Sequence, residues 1–142
     1  MDYSIDAGTM RSLKEAQKNE ITEYHIYMKL SSLVKNEHNS NVLRQIGQDE
    51  LKHHGVLKKF TGTVQKPDKL KVYFYVFISL IFGITFGIKL MEKGEGSAEK
   101  VYRELGARFD ELKRIAGEED KHEKELIEII EEEKLNFVGS MV

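Results

Sequence analysis

Two short motifs constrain what this chain can fold into. Glu50-x-x-His53 and Glu119-x-x-His122 each interrupt an apolar stripe that repeats at helical spacing. The first stripe runs Val42, Ile46, Glu50, His53, Leu57 and Phe60; the second runs Phe109, Leu112, Ala116, Glu119, His122, Leu126 and Ile130. A glutamate and a histidine three residues apart lie on one face of a helix. Burying a carboxylate without a partner is costly, and several together repel one another. Two such helices therefore need something in the core that satisfies acid and imidazole at once.

The rest of the chain also reads as helix, with one proline and few turn clusters. Ser12-x-x-Glu15 has the form of a capping box and predicts the start of a first helix, with Leu13, Ala16, Tyr24, Tyr27, Met28 and Val34 inward. The polar stretch 36–41 ends it. A second helix is expected from about Asn41 to Phe60, stopped by Gly62. Pro67-Asp68 opens a third, with Asp68 as N-cap. It is expected to continue through Val72–Ile88 to Tyr102 and Leu105, loosened at Gly94 and Gly96. Gly106 separates it from a fourth, striped by Phe109, Leu112, Ile115, Leu126 and Ile130.

Acids interrupt the other two stripes as well, at Glu20 in the first helix and at Glu92 and Glu95 in the third. A divalent cation removes the conflict, and two suit this many carboxylates better, because carboxylates bridge ions ~3.5–4 Å apart. The order Glu20, Glu50-x-x-His53, Glu92-x-x-Glu95, Glu119-x-x-His122 is that of an all-α, ferritin-like four-helix bundle with a dimetal core. One Glu-x-x-His among 24 acids and 5 histidines means little; two, alternating with lone acids, are hard to reach by accident. The candidate metal ligands are thus Glu20, Glu50, His53, Glu92, Glu95, Glu119 and His122, with Glu50 and Glu119 as bridges. Glu95 is either a further ligand or an acid that merely adjoins the glycines. Glu23 is either a supporting group or an exposed charge. Tyr27 and Tyr102 either hydrogen-bond ligand carboxylates or are core tyrosines. His25, His38 and His54 read as surface. Mixed oxygen and nitrogen ligation suits two Fe or Mn ions, with Zn or Co as substitutes.

The chain has no cysteine, which excludes disulfides, iron–sulfur clusters and a rubredoxin-type iron within it. The net charge of −2 and the lack of a strongly basic face give no reason to expect nucleic acid. The N-terminal segment lacks the basic and apolar regions of a signal peptide.

The ligand spacing resembles the rubrerythrin branch of the ferritin-like superfamily, whose full members carry the rubredoxin centre absent here. The stretches EITEYHIYMKL, DELKHH, FGITFGIKLMEKGEG and EEDKHEKEL are also similar to the N-terminal domain of vacuolar-iron-transporter-type membrane proteins, the membrane-bound ferritins among them. The ending KLNFVGSMV resembles the entry to the first membrane helix of that group. The resemblance implies a dimetal-binding domain over 1–136, with 137–142 beginning a membrane domain. It implies a domain at the cytoplasmic face of a membrane that captures iron or manganese and supplies or regulates a fused C-terminal exporter. The other reading is a stand-alone ferroxidase or peroxide-reducing enzyme.

The stretch Val72–Ile88 is 17 residues without a charge, close to membrane-span length. Because Glu92 and Glu95 follow it, a helix buried in protein is expected. From Glu50 to Phe60 and from Leu70 to Glu92, returning to the start of the same bundle would mean spanning ~48 Å of helix. The connection Thr61–Lys69 reaches at most ~32 Å. Either the third helix begins later, or the two halves go to different bundles; the expectation is the second, a homodimer in which helices one and two of one chain pair with three and four of another.

Overall fold

The computed structural model describes residues 5–92 and 96–141; for residues 92, 96–98 and 135–141 only the backbone is described. Six helices occur among the described residues, and no strand: α1 (Ala7–Leu33), α2 (Glu37–Thr61), α3 (Lys69–Phe82), α4 (Ile84–Glu92), α5 (Gly96–Gly106) and α6 (Asp110–Met141). The all-α, ferritin-like expectation holds.

Caps explain most of the boundaries. Asp68 accepts a hydrogen bond from the Lys71 amide and starts α3, as its sequence position predicts. Gly62 ends α2 in the left-handed region, at φ 68°, where a side chain would be strained. Two starts come earlier than expected. Asp6, rather than Ser12, caps α1: its carboxylate takes the Thr9 amide at 2.8 Å and the Thr9 hydroxyl at 2.9 Å. Asn36 caps α2 through the Asn39 amide, ahead of the expected start at Asn41. In each case an earlier side chain reached an amide that the helix leaves unpaired.

The expected long third helix is corrected. The chain turns at Gly83, whose φ of 94° and ψ of 155° no side chain adopts cheaply. α4 then folds back against α3. Their closest approach is at Gly87, where an added Cβ would stand 1.9 Å from Ser79 Oγ. This turn solves the reach problem within one chain, so an exchange of halves no longer follows from helix length. α3 runs outward along α1, tied at its start by the Asp68 amide donating to Thr22 Oγ1 at 2.9 Å. α4 and α5 return parallel to α2, and together supply the third rung of the bundle.

The core comes in two clusters. One joins Ile26, Tyr27 and Leu30 of α1 to Leu43 and Ile46 of α2, Ile88 of α4, and Leu126 and Ile129 of α6. The other joins Leu13 and Ala16 to Leu57, Tyr102 and Leu105, Leu112 and Ile115. Each fully buried Leu or Ile contributes ~1.5–3 kcal/mol. Between the clusters, at the level where α1 passes residue 20, α2 residues 50–53 and α6 residues 119–122, the packing turns polar. α3 is buried on one face only: Val72 and Ser79 face inward, while Phe77 is 59 % exposed. Burial of the whole apolar stretch, as its sequence suggests, is therefore met on one side.

Candidate metal centre

Helical register carries five acids and imidazoles into the polar layer. Glu20, Glu50, His53 and His122 are buried, and Glu119 is half-buried. Ligand-type atoms of Glu20, Glu50, His53 and Glu119 all lie within 4.8 Å of one another. His53 Nδ1 is 3.2 Å from Glu119 Oε1, 3.4 Å from Glu20 Oε2 and 3.7 Å from Glu50 Oε1. His122 Nδ1 is 3.1 Å from the same Glu50 oxygen, and the two rings stack with centroids 6.0 Å apart. Glu50 thus stands between the two histidines.

These contacts are close, but the inner atoms lack hydrogen bonds. Glu20 Oε2, both oxygens of Glu50, His53 Nδ1, Glu119 Oε1 and His122 Nδ1 are buried with no hydrogen-bond partner. Native interiors rarely leave such groups unpaired. Six donor atoms left open around one point are what a pair of hard or borderline divalent ions would require, so the residues fit a dimetal group.

The outer atoms, in contrast, are satisfied. The Tyr102 hydroxyl donates to Glu20 Oε1 at 2.6 Å. His122 Nε2 pairs with Asp49 Oδ2 at 2.9 Å, and His53 Nε2 pairs with Glu118. Each imidazole therefore turns Nδ1 inward and anchors Nε2 on an acid of the opposite helix.

The electrostatics record the conflict. Burial, with the charges of Glu20 and Glu119, pushes the Glu50 carboxyl well above the usual carboxylate range. Glu119 is raised by burial and by Glu20, against the pull of His53. Glu20 is buried too, yet the neighbouring Glu50 carboxyl and His53 imidazole, with the hydrogen bond from the Tyr102 hydroxyl, hold it below its usual value. Burial opposes a charge on His53, but Glu119, Glu20 and Glu118 overcome it and raise the imidazole to about 11. His53 and Glu50 are thus both driven towards their protonated forms.

The expected ligands fall into two groups. The structure brings Glu20, Glu50, His53, Glu119 and His122 into one layer. Glu92 is the last residue of α4, with its side chain outside the described residues, and Glu95 lies outside them altogether. Of the two tyrosines, Tyr102 touches a candidate ligand, and Tyr27 is buried in an apolar cluster. Glu23 is half-buried. His38 is exposed as expected; His25 is half-buried beside Tyr24, and His54 is half-buried with Nδ1 3.3 Å from the Gln17 carbonyl. Asp49 and Glu118 were not anticipated. The signal was an acid immediately before each motif, Asp49-Glu50-x-x-His53 and Glu118-Glu119-x-x-His122.

A family model for rubrerythrin matches residues 12–92. The chain belongs to the rubrerythrin family. This is a ferritin-like di-iron family, and the matched span contains Glu20, Glu50, His53 and Glu92. Glu119 and His122 lie beyond it, and their place in the layer rests on the contacts of α6 with α2, Glu119 with His53 and His122 with Glu50. No curated protein and no solved structure matches the chain significantly. Among the described residues no helix is long and apolar enough to cross a membrane.

Proposed function

We propose that this domain binds two iron or manganese ions between its helices, held by Glu20, Glu50, His53, Glu92, Glu95, Glu119 and His122. The observation that carries the reading is the convergence of six buried donor atoms that have no hydrogen-bond partner. Glu50, which lies between the two imidazoles, is the natural bridge, and Glu119 is the second. Tyr102 orients Glu20, and Asp49 and Glu118 hold the rings with Nδ1 inward. When bound, such an ion pair supplies Lewis acidity and one-electron redox capacity towards dioxygen or peroxide.

The role proposed for the site is to capture iron or manganese at the cytoplasmic face of a membrane and to supply or regulate a fused metal exporter. The likeness of EITEYHIYMKL, DELKHH, FGITFGIKLMEKGEG and EEDKHEKEL to the domain that precedes such exporters supports it. The second reading, a ferroxidase or peroxide-reducing oxidoreductase, draws support from the rubrerythrin family match.

The test is to purify the chain without chelator, count Fe, Mn and Zn per chain, then add Fe²⁺ in air and follow ultraviolet absorbance. About two ions per site with fast saturable oxidation favours the oxidoreductase; two ions without oxidation favours delivery. Metal-free Glu50→Gln should be at least as stable as the parent, because a neutral amide replaces a buried carboxyl that Glu20 and Glu119 already drive towards its neutral form, whereas the loaded form should lose an ion and its added stability. No metal in the parent, and no change in the Glu50→Ala/Glu119→Ala variant, would overturn the proposal.

A further inference from the structure

α3 carries apolar side chains on both faces. Val72 and Ser79 are buried against the bundle, with Tyr75 and Val76 packed beside them. Leu70, Tyr73, Phe74, Phe77, Leu80 and Ile81 lie on the opposite face, between 50 % and 82 % exposed. Their spacing of three and four residues makes one continuous helical stripe. Phe82 and Phe86 extend it across the Gly83 turn, with ring centroids 5.3 Å apart.

We infer that this stripe is the surface on which a second copy of the chain packs, α3 against α3 about a twofold axis. Three observations favour that occupant. The first is area. With roughly 100–150 Å² exposed on each of the eight side chains, the face offers on the order of 1,000 Å². The largest apolar patch of an ordinary monomer is ~300–600 Å², and a stable interface takes ~800 Å² from each partner. The second is charge. Lys69 and Lys71 flank its first residue, Leu70, but no charged residue occurs between Val72 and Ile88, so from Tyr73 onward the stripe meets its own copy without like-charge repulsion and has nothing to pair with a charged partner. The third is pattern. Ridges three and four residues apart are what one helix offers another, and an isologous interface needs one patch that complements itself. A helix lying on a lipid surface would instead carry lysine and arginine opposite its apolar face. Here the opposite face is the protein core.

The absence of cysteine makes the test clean. Phe77, near the middle of the stripe, comes close to its own copy across such an axis. Phe77→Cys should therefore form an intermolecular disulfide under mild oxidation, and Arg114→Cys, exposed on α6, should not. Light scattering at about 10 µM, near common dimer constants, should give twice the 16.4 kDa chain mass. Phe77→Glu should give the single-chain mass, with helical circular dichroism and metal content unchanged. Metal content is read separately, so failure of this interface and failure of the metal reading are distinguishable. A parent that is monomeric, a Phe77→Glu protein that remains dimeric, or a monomer that binds lipid vesicles through this face would each overturn the inference.

Discussion

His122 Nε2 lies 2.9 Å from Asp49 Oδ2, so an acid on α2 fixes a ring that belongs to α6. The reverse pairing joins His53 of α2 to Glu118 of α6. Each acid stands one residue before the glutamate of the facing motif. The two halves of the layer are thus locked crosswise, and each imidazole is left with Nδ1 pointing to the interior. In return, His122 holds the Asp49 carboxyl below its usual value despite partial burial.

Removing this anchor should loosen the metal rather than the fold. Asp49→Ala and Glu118→Ala are each expected to weaken metal binding about 10–100-fold. Competition with a chelator of known affinity checks this, with circular dichroism as the control. Equal affinity in both variants would mean that ring orientation is set elsewhere.

Stability of the metal-free protein should fall as pH rises. His53 is raised from 6.5 to about 11, so its contribution is fully present below pH 6.5 and is lost as pH climbs to about 11. Glu50 and Glu119, raised from 4.5, act in the same direction: the native state keeps protons that the unfolded chain has released. Metal displaces these protons, so binding should strengthen with pH. Thermal melts at several pH values, with and without metal, should diverge. A metal-free protein that grows more stable between about pH 6 and pH 9 would contradict the charge assignment.

Tyr102→Phe removes the donor to Glu20 Oε1 and leaves that buried oxygen unpaired. The cost should be about 1.5–3 kcal/mol, the range for a hydrogen bond to a charged group. Urea denaturation measures it. The phenol itself, pushed well above its usual range by burial and by Glu20, should show no ultraviolet titration up to the pH at which the protein unfolds.

The α3–α4 turn has its own test. Gly87→Ala would place a methyl 1.9 Å from Ser79 Oγ and 3.1 Å from Ser79 Cβ. Ser79 would have to give up its bond to the Tyr75 carbonyl, for about 1–3 kcal/mol of destabilisation. Ser79→Ala/Gly87→Ala should recover part of that loss. A double-mutant cycle with no coupling would mean that the two helices do not meet there.

Much of the site is legible in the order of residues along the chain, because it rests on helical periodicity. Glu20, Glu50, His53, Glu119 and His122 interrupt apolar stripes at fixed spacing, and a helix buries the members of a stripe together. The caps at Asp68 and Gly62 are legible for the same local reason: one side chain, or one missing side chain, acts on its own neighbourhood. Asp49 and Glu118 are not, since an acid beside a motif resembles any solvated charge until the facing helix brings an imidazole to it.

The turn at Gly83 belongs to tertiary structure altogether. Nothing between Val72 and Ile88 forbids a continuous helix, and a glycine within one costs only ~1 kcal/mol. The chain bends there because α3 buries Val72 and Ser79 along α1, while Ile88 and Met91 of α4 reach the core between α1 and α6. A straight helix cannot satisfy both from one connection as short as Thr61–Lys69. Which residues each helix buries follows from the amino-acid order, since that depends on period alone. Where the helices stop follows from the packed chain, because each end is placed by what it must reach.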